Sequence, residues 1–181
     1  MSSTSPEPAT VPLPEDATGS WNLDPSATTV ELHSKAMWGL ANVKGTFKVA
    51  SGTGTVGADG QVSGQLVIDA KSIDTHNRRR DEHLRSGDFF EVEKYPTITY
   101  AVTGASMLGA DQVAVSGTLE VHGVTRPLDV VAAVAEVTPT RAVLTADAAG
   151  IDRREWGLTW AKMGARVINR VVVRAVFTKA A

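Results

Sequence analysis

From Trp21 onward, apolar and polar positions alternate with a period of two, the signature of strands that bury one face. Gln112 to Val121 is the clearest stretch: Val113, Val115, Gly117, Leu119 and Val121 share one face, and Gln112, Ser116, Thr118 and Glu120 hold the other. Ile98, Tyr100 and Val102 alternate with Thr97, Thr99 and Thr103, and Arg166, Arg170 and Arg174 alternate with Val167, Val171, Val173 and Phe177. Thr28 to Ser34, Lys44 to Ser51, Gln61 to Ala70, Pro127 to Val137 and Arg141 to Gly150 bring the tally to about eight strands.

Most connections are short and carry the Gly, Asp and Pro of tight turns: Ala58-Asp59-Gly60, Gly109-Ala110-Asp111, His122-Gly123-Val124-Thr125 and Thr138-Pro139-Thr140. Sequential short turns imply an antiparallel meander, because a parallel pair needs a long crossover. Eight such strands suffice to close a small all-β barrel, whose interior is either filled by side chains or holds one small ligand. The faces assigned inward include Gly64, Ala70, Gly117, Ala132, Ala142, Ala146, Ala148 and Ala175, which leave volume for a ligand. A tightly packed β-sandwich, in which those residues accommodate neighbouring bulk, stays open on the same pattern. If hollow, the barrel encloses a channel on the order of 25 Å long, suited to an extended chain.

Two longer connections break the meander, Ser72 to Pro96 and Asp152 to Ala165, and binding groups are expected there because loops on a rigid scaffold carry function. Within the first, Asn77 to Ser86 favours a short helix capped by Asn77 or Thr75, on which Asp81 would face Arg85 and Arg78 would face Glu82. Acid–base work by Asp81, His83 and Asp88 is conceivable, although no spacing selects it. His33, His76, His83 and His122 form no established metal-ligand spacing. Gly52 to Gly57 reads as a flexible hairpin, since no helix or lysine follows to complete a phosphate loop.

A chain of 181 residues suits one domain with a sizeable core. Its net charge of -2 supplies no basic field for a nucleic acid. The absence of cysteine removes disulfides, thiolate metal sites and a cysteine nucleophile. Residues 1–20 are rich in Pro, Ser and acids and read as a disordered leader before a domain spanning 21–181. The leader resembles neither a signal peptide nor a membrane span, so a cytoplasmic location is expected.

The order of motifs resembles the YceI-like family of lipocalin-like polyisoprenoid-binding proteins. The resemblance opens on Trp21-x-x-Asp24-Pro25 and runs through Val43 to Phe47 and Asp69 to Thr75. Its centre is Arg80-Asp81-Glu82-His83-Leu84-Arg85-Ser86-Gly87-Asp88-Phe89-Phe90-Glu91-Val92, followed by Tyr95-Pro96-Thr97-Ile98. Gly117-Thr118-Leu119, His122 to Leu128, Ile151-Asp152-Arg153 and Trp156-Gly157-Leu158 complete it. Many family members carry histidines where this chain reads Asp24-Pro25-Ser26-Ala27 and Lys35-Ala36-Met37-Trp38, so other residues would hold a head group. Met37, Trp38 and Leu40 would suit a gate or plug over one end.

The resemblance implies an eight-stranded antiparallel lipocalin-like β-barrel, with a short helix around residues 76–88, whose apolar interior binds the tail of a polyprenyl or quinone-like lipid. The expected channel residues on strands are Leu32, Phe47, Leu66, Ile68, Ile98, Tyr100, Val115, Leu119, Val130, Leu144, Val171 and Phe177. From the connections come Trp38, Leu84, Phe89, Phe90, Trp156 and Trp160, with Arg80, Asp81, His83 and Arg85 as a polar mouth. A noncatalytic carrier follows, requiring no cofactor and no metal and taking an isoprenoid lipid or isoprenoid quinone as its partner. Transient membrane-surface contact and a homodimer are further expectations. An enzyme acting through Asp81, His83 or Asp88, and a solid stress-related interaction module, are the alternatives.

Overall fold

The computed structural model describes residue 11 and residues 13–181. Residues 1–10 and 12, within the span read as a leader, lie outside the described residues. The strands are β1 (Gly19–Leu23), β2 (Thr29–Ala36), β3 (Ala41–Val56), β4 (Val62–Asp74), β5 (Thr97–Met107), β6 (Gln112–Val121), β7 (Val124–Pro127), β8 (Val130–Val137), β9 (Arg141–Asp152) and β10 (Ile168–Lys179), with one α-helix, α1 (Arg78–Arg85). No helix among the described residues is long and apolar enough to cross a membrane.

Eight of the strands pair in the antiparallel order β2-β3-β4-β5-β6-β8-β9-β10, and β10 returns to β2, so the sheet closes as the alternation predicts. Closure satisfies edge groups that an open sheet would leave unpaired. The two extra strands arise from interruptions. β1 pairs with the ends of β3 and β10 that β2 does not reach, so the two short strands run collinearly along one position in the wall.

The break between them is the Asp24-Pro25 stretch. There the Asp24 carboxylate accepts from Ser26 N, Ser26 Oγ and Ala27 N, and the Thr28 hydroxyl accepts the Val176 N–H in place of a strand carbonyl. β7 and β8 divide β6 between them in the same way, which splits the span 127–137 that reads as one strand. Leu128 N donates to the Gly117 carbonyl at the break.

Antiparallel order sends successive connections to opposite ends. Turns 57–61, 108–111 and 138–140 lie at one end with the outer ends of β1 and β10; connections 37–40, 75–96, 122–123 and 153–167 lie at the other. The first end is tied down closely. Trp21 is buried and donates Nε1 to the Ala17 carbonyl, while Lys179 lies 5.5 Å over its ring and donates to the Asp16 carbonyl. Structure therefore begins before Trp21, within the span assigned to the leader.

Residues 52–56 belong to β3 and form no hairpin. Gly52 is required by close approach: a Cβ there would lie 2.8 Å from Leu23 Cβ, so β1 could not pass over a larger residue.

Candidate functional site

The inward side chains leave a cavity of about 900 Å³, open at the end of the long connections. Leu32, Phe47, Leu66, Ile68, Ile98 and Tyr100 line it from β2 to β5; Val115, Leu119, Val130, Leu144, Val171 and Phe177 line it from β6 to β10. Leu84, Phe89, Phe90, Trp156 and Trp160 close over it from the connections. Trp38 is the exception among the expected channel residues: it is 73% exposed and packs against Gly164 on the outside. Leu40, 86% exposed, likewise plugs nothing.

The open volume has a compositional cause. Ala146 sits in register with Ala132 on one side and Val173 on the other, and Ala148 and Ala175 lie nearby on the same wall. Small side chains on three adjacent strands leave a hollow that larger ones would fill. Not every small residue contributes. A Cβ on Gly117 would meet the Tyr100 ring at 2.6 Å, and one on Gly64 would meet the Thr53 carbonyl at 2.7 Å, so these glycines admit neighbours instead. Ala70 and Ala142 lie off the cavity.

Tyr100 brings a phenol into this wall. Its hydroxyl donates to the Leu128 carbonyl at 2.8 Å, and burial, helped by the Asp129 charge, pushes its pKa up to about 12.

The helix at the rim forms where the sequence predicts. Asn77 caps it by accepting from Arg80 N, and Arg78 pairs with Glu82 at 3.0 Å. Asp81, however, does not face Arg85. It is buried and accepts from both the Thr75 N–H at 3.0 Å and the Thr75 hydroxyl at 2.5 Å, while Arg80 donates to the same hydroxyl and to the Thr75 carbonyl. Arg85 donates to the carbonyls of Lys71 and Ile73, fastening the helix to β4. Of the expected polar mouth, Arg80 and His83 reach the cavity; Asp81 and Arg85 work behind it.

His83 meets Asp88 at 2.8 Å, and its ring stands edge-on to Phe89 and Trp160, with centroids 5.1 and 4.6 Å away. Asp81 is committed to Thr75, so Asp81, His83 and Asp88 do not converge on one reacting point. Among the described residues no three His, Asp or Glu side chains gather as a metal site.

Arg153 is the principal group that alternation misses. Buried at the rim, it donates to the carbonyls of Leu158 and Trp160, and at 3.4 Å to that of Arg166, while its guanidinium lies 5.3 Å from the Phe89 ring centre. Burial draws its pKa down from the usual arginine value and the Asp152 charge opposes this, leaving it protonated. One cation thus latches the loop 153–166.

The reason it escapes a period of two is local. Ala146 and Ala148 face inward, but Gly150 adopts φ +73° and the register with β10 slips between Asn169 and Val171, so Ile151 and Arg153 turn inward. Lys35, Arg79, Lys162 and Arg166 complete the rim, and the cavity lining contains no aspartate or glutamate. The signal of Lys35, Lys162 and Arg166 in the sequence is acid-free basic flanks, KAMWGLAN (35–42) and TWAKMGARVI (159–168).

A family model described as the YceI-like domain matches residues 21–178. A UPF0312 protein of Vibrio vulnificus strain YJ016 is 33% identical over 96 residues, covering 52% of this chain and 51% of that protein. Protein YceI of Escherichia coli O157:H7 is 36% identical over 92 residues, covering 50% and 48%. The chain spans about half the length of the curated relatives it matches.

Among solved structures, Burkholderia cenocepacia BcnA superposes with a TM-score of 0.75 at 19% identity, over 85% of this chain and 98% of that one. A polyisoprenoid binding domain from Saccharophagus degradans, implicated in plant cell wall breakdown, superposes with a TM-score of 0.70 at 21% identity, over 88% and 98%. At these identities the superpositions establish a shared fold.

Proposed function

The chain belongs to the YceI-like family, and from that premise we propose that it binds an isoprenoid lipid, holding the tail in the barrel and the head group at the rim. The observation that carries this reading is the cavity of about 900 Å³, walled mainly by aliphatic and aromatic side chains, with its charged side chains gathered at the opening. A structural neighbour described as a polyisoprenoid binding domain supports the same ligand class. A hollow interior also favours this reading over a solid interaction module.

Transfer of a hydrocarbon chain from water into such a space is worth roughly 0.8 kcal/mol per CH₂ before ordering costs. A bilayer offers the tail nearly the same environment, so net extraction depends on fit and on contacts to the head group. The rim supplies N–H donors from Arg80, Arg79 and Lys162 and no carboxylate, which suits an oxygen-rich acceptor such as a quinone carbonyl or a phosphate. Sequestration or carriage follows from this chemistry. His83 and Asp88 pair with each other and lie on an aromatic edge, a supporting role for the rim and no reaction centre.

Native mass spectrometry of purified protein, before and after incubation with polyprenols and isoprenoid quinones of graded tail length, tests the proposal. Retention of one prenyl compound per chain, dependent on tail length, is the expected result. Failure to retain any prenyl compound would overturn it.

A further inference from the structure

We propose that the open end of the barrel is a membrane-docking face, in which Trp38, Leu40 and Met163 enter the interfacial layer of an anionic bilayer while Lys35, Arg79, Lys162 and Arg166 meet its head groups. Cargo would then pass between bilayer and barrel without crossing water. The purpose assigned to docking rests on the lipid-binding reading; the docking itself does not.

Five large apolar side chains stand exposed at this one end: Met37 at 56%, Trp38 at 73%, Leu40 at 86%, Met163 at 80% and Ile168 at 49%. Single exposed apolar residues are ordinary on protein surfaces, but a cluster rimmed by charge marks an interaction site. The first four come from two turns that brace each other. Arg166 donates its backbone N–H to the Lys35 carbonyl at 2.9 Å and a guanidinium N–H to the Trp38 carbonyl at 3.3 Å. A Cβ on Gly164 would fall 2.4 Å from Trp38 N, so the turns nest only because residue 164 is glycine.

The backbone holds Met37, Trp38 and Met163 at φ 49°, 55° and 56°, a conformation bulky residues rarely adopt. Strain kept at two facing turns, with the result that apolar groups point into water, is accounted for if another phase receives them.

Charge identifies that phase. The segments 35–42 and 159–168 contain Lys35, Lys162 and Arg166 and no acid, although the chain as a whole carries a net charge of -2. Lys35, Arg79, Lys162 and Arg166 form no ion pair among the described residues, whereas Arg78, Arg141, Arg154 and Arg170 each do. Tryptophan and leucine beside unpaired lysine and arginine are the composition of interfacial anchors on anionic membranes. The cavity opens between these groups: Met37 and Met163 lie both on the docking patch and on the lining.

Flotation with vesicles of phosphatidylcholine, alone or mixed with phosphatidylglycerol, tests the inference in protein free of cargo. The expected result is binding to the phosphatidylglycerol vesicles that weakens with salt and falls at least about tenfold in Trp38→Ser/Leu40→Ser and in Lys35→Glu/Lys162→Glu. Trp38 and Leu40 are exposed and off the cavity, so the first variant should keep the wild-type fold and load prenyl compound from detergent solution unchanged.

Equal flotation of wild type and both variants, or none with either vesicle, would overturn the inference. A patch variant that converts a dimer to a monomer, with no vesicle binding by wild type, would overturn it in favour of a second copy of the chain. None of these outcomes touches prenyl loading, which tests the lipid-binding reading separately.

Discussion

The two ends of this barrel are built on opposite rules. At the closed end, short turns and the close pass of β1 over Gly52 bring backbone against backbone, and the Trp21 and Lys179 side chains fasten the residues that precede β1. At the open end, long connections are held by single side chains: Asp81 on Thr75, Arg85 on two carbonyls of β4, and Arg153 on the carbonyls of its own loop. The contrast separates a frame that resists motion from a rim that releases when one latch is removed. Local stability in folded chains varies in this manner, with binding elements drawn from the weaker parts.

Removal of the largest latch should have the greatest effect. Arg153→Ala leaves the Leu158 and Trp160 carbonyls without their donor and should cost about 3 kcal/mol, read as a lower urea midpoint. A loss under about 0.5 kcal/mol would show the loop to be held by other contacts.

At the closed end the equivalent weakness is backbone contact. Gly64→Ala would press a Cβ to 2.7 Å from the Thr53 carbonyl and should cost about 2 kcal/mol, with vesicle binding unaltered. An altered docking response would mean that the ends are coupled.

Filling the hollow between them isolates the cavity from both. Ala146→Phe should weaken prenyl binding by at least tenfold, equivalent to about 1.4 kcal/mol, while folded stability moves by less than about 1.5 kcal/mol. Unchanged affinity by native mass spectrometry would place the ligand elsewhere.

The smallest effect concerns Tyr100, whose hydrogen bond to Leu128 is worth about 1 kcal/mol and is lost in Tyr100→Phe. The phenol ionises near pH 10 when unfolded and at about 12 when folded. Its contribution to stability is therefore whole below about pH 10 and disappears as pH climbs through about 12. Ultraviolet titration of wild type should find one late-ionising tyrosine, and Tyr100→Phe should lack it.

Alternation read the wall well because a strand's faces are a local property. It placed β6 at Gln112 to Val121 and turned Val115 and Leu119 inward, as found. Cap and spacing rules likewise identified α1 and the Arg78–Glu82 pair. It failed where one residue slips the register or where a partner lies far along the chain. Gly150 reverses the faces beyond Ala148 and hides Arg153 from a strict count. Asp81 prefers Thr75, six residues away and outside the helix, to its neighbour one turn on. Trp38 looks like a plug by composition, but the tight turn that carries it directs the ring outward. The alternation count omitted β1, although the Trp21-x-x-Asp24-Pro25 motif marks an entry strand there, and β7, because each is only half of an interrupted strand.

The bulge at Gly150 has a wider consequence. It acts as a shift in the reading frame of the wall: were the strand to pair without the bulge and with every residue kept, alternation from Ala148 would run through residue 150 to Asp152 and bring that carboxylate toward the lumen in place of the Arg153 guanidinium. One charge of the vestibule therefore hangs on a residue with no charge and no side chain: flattening the bulge would exchange a cation for an anion there, whereas excising the extra residue would leave the guanidinium facing in.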